Sequence, residues 1–172
     1  SNTQPNAGDN NTVSYCGRQG NINLFALLQG SYDANGTWSE LTSSGTLTNN
    51  LWNSAAVAFG TYQFKYRVVG NCNASDEAFV NITLKEIPQQ PIASSDTVIC
   101  DTRSLNLYAS TVPNATYVWS GPNGFASQQQ NPTLNPLSLA DSGTYNVYTV
   151  LDGCQSPSDT VAITVNALPV VS

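Results

Sequence analysis

Apolar and polar residues alternate at period two along much of the chain, and no stretch carries the 3.6-residue period of an amphipathic helix. In Tyr62-Gln63-Phe64-Lys65-Tyr66-Arg67-Val68 every second residue is aromatic or apolar, which predicts a strand with one buried and one wet face. Ile22 with Leu24, and Val80 with Ile82 and Leu84, repeat the pattern. Asn35-Gly36, just ahead of Thr37-Trp38, marks a tight turn because both residues tolerate positive φ. About seven short strands per module predict an all-β fold, an antiparallel sandwich.

The pattern occurs twice. Thr12-Val13-Ser14-Tyr15-Cys16 corresponds to Asp96-Thr97-Val98-Ile99-Cys100, and Ile22-Asn23-Leu24-Phe25-Ala26 to Leu105-Asn106-Leu107-Tyr108-Ala109. Trp38 and Trp119 are each followed by Ser, Gly60-Thr61-Tyr62 matches Gly143-Thr144-Tyr145, and Gly70-Asn71-Cys72 matches Asp152-Gly153-Cys154. The equivalent cysteines lie 84 and 82 positions apart. So many landmarks in one order predict two tandem copies of one module, residues 1–88 and 89–172. Ile87-Pro88-Gln89-Gln90-Pro91 forms a short, stiff joint between them. Leu168-Pro169 closes the second copy much as Ile87-Pro88 closes the first, and no initiator Met is present, so the chain reads as a piece excised from a longer array.

Composition narrows the function. Only 9% of the 172 residues are charged, against roughly 25% in an average soluble domain. The chain holds 20 Asn, 19 Ser and 17 Thr, which favours strands and turns over helices. His is absent, so a Ser-His-Asp or Cys-His centre cannot form and the commonest zinc and haem ligand is missing. A net charge of −6 with five basic residues argues against nucleic acid and anionic membranes as partners. No apolar run approaches the ~18 residues of a membrane span. Cys16, Cys72, Cys100 and Cys154 are far apart with no CxxC spacing, which fits disulfides of an exported chain better than a metal site. No catalytic, metal or cofactor site is expected. Asp33 with Glu40, and Asp96 with Asp101, read as surface carboxylates, and the five N-x-S/T sequons are expected by chance in a chain so rich in Asn and Thr.

Leu139-Ala140-Asp141-Ser142-Gly143-Thr144-Tyr145 resembles the immunoglobulin motif at the corner before strand F, whose Tyr hydroxyl bonds back to the chain. Leu105 to Ala109 resembles strand B, and Trp119 the strand C tryptophan. The positions of the immunoglobulin core cysteines map to Ala109 and Val147, and in the first copy to Ala26 and Phe64, which implies a small–large apolar pair in place of the disulfide. With Cys before strand B and in the turn after strand F, and with Trp119-Ser120-Gly121-Pro122-Asn123-Gly124-Phe125 after strand C, the chain resembles the Ig-like and PKD-like modules of giant Bacteroidetes surface proteins. The SprB-like gliding-motility adhesins, cargo of type IX secretion, are the best known of these. The first copy lacks the Gly-Pro-Asn-Gly-Phe segment and has Ala58 where Asp141 stands.

The resemblance implies a secreted, cell-surface protein in which two tandem Ig-like antiparallel β-sandwich modules form part of an adhesin stalk. Its partners would be neighbouring modules of the same chain and surface polysaccharide. The alternative is a carbohydrate-binding accessory module of a secreted polysaccharide-degrading enzyme. Trp38, Trp119, Leu24, Leu107, Phe64 and Val147 are expected in the cores, with Tyr62 and Tyr145 at strand starts. Trp52, flanked by asparagines in Asn49-Asn50-Leu51-Trp52-Asn53, and Phe125 are the candidate ligand contacts, since an exposed ring can stack on a sugar. For Trp52 the competing reading is cover for the sandwich edge or the module joint, because the second copy has Asn135 at the matched position. Thr97 and Thr160, in Asp-Thr-Val triplets, resemble Bacteroidetes O-glycosylation sites.

Cysteine pairing stays open among three states. Repeat symmetry pairs Cys16 with Cys72 and Cys100 with Cys154. In an Ig-like sandwich, however, those positions lie at opposite ends of strands about 20 Å long, too far for a disulfide. A head-to-tail array instead brings Cys16 to Cys154 across the modules, leaving Cys72 for a preceding and Cys100 for a following module. Free thiols are the third state.

Overall fold

A computed structural model describes residues 4–96 and 99–168. The chain divides into two units, Ser1–Glu86 and Ile87–Ser172. The first unit contains β1 (Asn11–Cys16), β2 (Asn21–Asn23), β3 (Thr37–Glu40), β4 (Leu47–Thr48), β5 (Leu51–Asn53), β6 (Gly60–Val69) and β7 (Ser75–Lys85). One sheet has the order β1-β7-β6-β3 and the other β2-β5-β4. All pairings are antiparallel except β1 on β7, which runs parallel from Asn11 opposite Val80 to Cys16 opposite Lys85.

The period-two pattern sorts the side chains of this unit. Phe64, Tyr66 and Val68 of β6 and Ala78, Val80, Ile82 and Leu84 of β7 turn inward and meet Ile22, Leu24 and Trp52 from the second sheet. Lys65 and Arg67 point outward, where both reach Glu77 at 3.2 and 3.5 Å. Such exposed pairs contribute little to stability. Strand β2 ends before Leu24, earlier than the alternation predicts. Asn23 accepts a hydrogen bond from the Phe25 amide (3.1 Å) and so starts a 3₁₀ turn over Leu24–Leu27. The turn buries Leu24 but exposes Ala26, so the expected core pair of Ala26 with Phe64 does not form.

The second unit contains β8 (Ala93–Ser95), β9 (Ile99–Cys100), β10 (Leu105–Ala109), β11 (Thr116–Ser120), β12 (Ala126–Ser127), β13 (Thr133–Leu134), β14 (Gly143–Leu151), β15 (Cys154–Gln155), β16 (Asp159–Ile163) and β17 (Val165–Asn166). One sheet runs β13-β10-β8; the other runs β12-β11-β14, with β15 and β16 both on the far side of β14. Strands β17 and β9 pair in parallel, as β7 and β1 do in the first unit. The core gathers Leu105, Leu107, Ala109, Tyr117, Trp119, Tyr145, Val147 and Ile163. Here Ala109 and Val147 are both buried, as the resemblance implied. Each unit has the strand pairing of an Ig-like antiparallel β-sandwich. The Tyr145 hydroxyl donates to the Asp141 carbonyl at 2.8 Å, and Tyr62 donates to the Ala58 carbonyl at 2.8 Å, so both corners close in the same way. Among the described residues no helix is long and apolar enough to cross a membrane.

Candidate functional site

Strand β3 is the edge of its sheet, and that position decides the fate of Trp38. Expected in the core, Trp38 is only half-buried. Its ring leans on Tyr66 (centroids 5.0 Å apart, 35° between planes) and meets the edge of Phe25 (5.7 Å, 79°). Its indole N–H is buried yet has no hydrogen-bond acceptor. Trp119 sits instead on β11, paired on both sides by β12 and β14, and its N–H donates to the Gln130 carbonyl at 3.1 Å. The connection between β11 and β13 supplies that carbonyl.

Beside Trp38 lies an open pocket of about 280 Å³, lined by Phe25, Ala34, Gly36, Thr37, Trp38, Asn49 and Asn50. Each wall is held from behind. The 3₁₀ turn that follows Asn23 presents Phe25, whose outer side stacks on Tyr32 (5.4 Å, 15°). Tyr66, fully buried, donates its hydroxyl to the Asp33 carbonyl (2.6 Å) and accepts from the Gly36 amide (2.8 Å), pinning the loop between them. Burial pushes the Tyr66 phenol above its ordinary pKa, so the hydroxyl keeps the proton it donates. Position 36 has to be glycine: a Cβ there would lie 2.5 Å from the Arg67 carbonyl oxygen and 2.6 Å from the Tyr66 ring.

The opposite wall is the two-residue turn Asn49-Asn50 between β4 and β5, with φ +55° at Asn49. Asn50 donates its side-chain amide to Asn23 Oδ1 (2.8 Å), and its carbonyl accepts from the Leu24 amide (2.9 Å). Asn23 thereby joins the Phe25 wall to the Asn50 wall. No lining side chain is ionisable.

Trp52 is not a ligand platform. It is fully buried, donates Nε1–H to Ser44 Oγ (2.9 Å) and packs on Tyr62 (4.8 Å) and Phe64 (5.0 Å). The asparagine-flanked segment contains strand β5, in which Trp52 faces inward between exposed Leu51 and Asn53. Trp52 pairs with Ile22 as Leu134 pairs with Leu105, so its structural counterpart is Leu134 rather than Asn135. Phe125 is half-buried, set edge-on against Tyr145 (5.3 Å, 67°) and packed on the core.

Thr160 is exposed on β16, while Thr97 lies outside the described residues. Cys72 and Cys100 carry free thiols, so neither Cys16–Cys72 nor Cys100–Cys154 forms; Cys16 and Cys154 are each engaged in a disulfide. Among the described residues no group of three or more His, Cys, Asp or Glu could hold a metal. The carboxylates noted in the sequence brace backbone: Asp33 accepts from the Asn6 amide (2.9 Å), Glu40 from Gly45 (3.1 Å) and Asp96 from Asn106 (3.0 Å). Of the pocket residues, Asn49 and Asn50 stood out in the sequence only as neighbours of Trp52, and Phe25 was not a candidate for the site. The one difference visible in the sequence was the missing Gly-Pro-Asn-Gly-Phe segment after Trp38.

No family model matches the sequence, and no curated protein matches it. Solved structures with similar folds include murine CEACAM1b (15% identity, TM-score 0.48, covering 90% of this chain and 95% of that one). An amphioxus IgVJ-C2 molecule shares 14% identity (TM-score 0.43, 88% and 99%), as does the Ig1–Ig2 pair of DIP-gamma (TM-score 0.39, 97% and 99%). Likeness at this level identifies neither ligand nor partner.

Proposed function

We propose that the chain is a structural and interaction segment of a secreted cell-surface adhesin: two Ig-like modules from its stalk, of the SprB-like gliding-motility kind exported by type IX secretion in Bacteroidetes. The supporting observation is that both units build the same sandwich, each closed by its own parallel edge pairing. A module that is complete by itself can be strung in series. The low charge limits repulsion between neighbours, and the prolines at positions 88 and 91 stiffen the joint. The role is mechanical, with no chemistry assigned to it.

The division of the four cysteines into two bonded and two free supports a staple from Cys16 to Cys154, between modules. The same register continued along an array would pair Cys72 with a preceding module and Cys100 with a following one. Exposed Thr160 is available for O-glycosylation. The alternative of a carbohydrate-binding accessory module loses Trp52, the residue on which it mainly rested.

Single-molecule pulling from the two termini tests the staple and the load-bearing role together. Without reductant, force should run from the N-terminus to Cys16, cross the bond and leave through Cys154, so that the residues between do not extend. With reductant, both sandwiches should unfold in turn. Full extension of both modules under oxidising conditions, or a Cys16–Cys72 linked peptide in a non-reducing digest, overturns the proposal.

A further inference from the structure

We propose that the pocket beside Trp38 is a binding site for one neutral sugar ring. The inference goes beyond a mechanical role and does not depend on it. Three features of the pocket select the ligand. Its volume, about 280 Å³, lies just below the ~300–1,000 Å³ of drug-sized ligand sites, enough for a single ring rather than an extended chain. Its lining combines two aromatic side chains, Trp38 and Phe25, with the polar, uncharged Thr37, Asn49 and Asn50. A pyranose has the same duality: apolar C–H faces that lie on aromatic rings, and a rim of hydroxyls that pair with amides and a threonine hydroxyl. The absence of an ionisable side chain from the lining disfavours phosphate, uronate and peptide carboxylate, which would enter without a counter-charge.

The pocket is also built in advance, which lowers the ordering cost of binding. Phe25 is set by the Asn23-capped turn, the loop over residues 33–36 is pinned by Tyr66, and the Asn50 amide is oriented by Asn23. The exposed side chain of Asn49 leaves its amide open to a ligand.

The test is affinity electrophoresis of the two-module chain through native gels containing laminarin, dextran, mannan or xylan, with alginate as the anionic control. At least one neutral gel should retard the wild type. In that gel Trp38→Ala should weaken binding about tenfold or more, the behaviour of a central contact. Asn49→Gly, which removes the amide and tolerates the turn's φ of +55°, should weaken it about threefold while leaving the thermal unfolding midpoint unchanged. Phe125→Ala should bind as wild type. Retardation in none of the neutral gels, retardation by alginate alone, or equal retardation of wild type and Asn49→Gly overturns the proposal. The Asn49 variant keeps the test valid even if Trp38→Ala fails to fold.

Discussion

Both units bury one tryptophan deep in the sandwich, but they take it from different strands. The second unit uses Trp119 of β11, at the centre of its sheet, and closes its indole N–H with the Gln130 carbonyl. The first uses Trp52 of β5, on the opposite sheet, and closes its N–H with the Ser44 hydroxyl. In each case the connection leading out of the strand that carries Trp38 or Trp119 supplies the acceptor. With Trp52 filling the first core, Trp38 is left at the sheet edge, half-buried and beside a pocket. The repeat thus preserves a buried tryptophan in each core more faithfully than the position that supplies it. The position released from core duty is where a surface site can develop.

Truncating the tryptophans should give the largest difference between the units. Trp119→Ala and Trp52→Ala should each cost about 3–5 kcal/mol in chemical denaturation, the range for losing a fully buried large aromatic. Trp38→Ala should cost less, about 2–3 kcal/mol, because its ring is only partly buried. A larger loss for Trp38→Ala than for Trp52→Ala would reverse the assignment of the first core.

A smaller effect separates the two indole acceptors. Ser44→Ala leaves a buried N–H unpaired and should destabilise the first unit by about 1–3 kcal/mol. The acceptor for Trp119 is a main-chain carbonyl that no side-chain change at position 130 removes. In Gln130→Ala, therefore, the Trp119 N–H should keep its slow hydrogen exchange; fast exchange there would show that the carbonyl is not the acceptor.

The corners before β6 and β14 give the smallest expected difference. Asp141 is buried and accepts from the Ser138 amide (2.7 Å), the Ser138 hydroxyl (2.8 Å) and the Asn123 amide (3.1 Å). The Ser138 amide is the main influence holding its carboxyl below the ordinary range; burial opposes the shift, and the Asn123 and Ser138 side chains add to it. A depressed folded pKa means that the stabilisation is fully present above the unfolded value, about 4, and is lost as pH falls through the folded value. Asp141→Asn should therefore be less stable than wild type at neutral pH, with the gap narrowing below about pH 4. The first unit has Ala58 at this place and lacks the term. A gap constant from pH 7 to pH 2 would show that the Asp141 charge contributes nothing.

Much of this protein is determined by local pattern. Strict alternation along Tyr62–Val68 and Val80–Leu84 admits one pleated arrangement with one dry face, because a register slip of one residue would turn Phe64, Tyr66 and Ile82 out to water. The paired Gly-Thr-Tyr corners were legible for a related reason: the tyrosine hydroxyl reaches a carbonyl only four residues away, so sequence alone brings the partners together.

The tertiary structure decided what depends on distant partners. Trp52 among asparagines has the local pattern of an exposed loop. Its burial follows from pairing with Ile22, some thirty positions earlier, which turns it onto Phe64. Trp38 has the local pattern of a core residue, and its exposure follows from β3 lying at a sheet edge with nothing beyond it. Ala26 left the core because a single hydrogen bond from Phe25 to Asn23 wound the chain into a turn. The pocket itself joins residues 25, 34–38 and 49–50, three segments that meet only once two sheets have packed. Alternation dictates which way a side chain points relative to its own strand; only the neighbouring strands determine whether anything covers it.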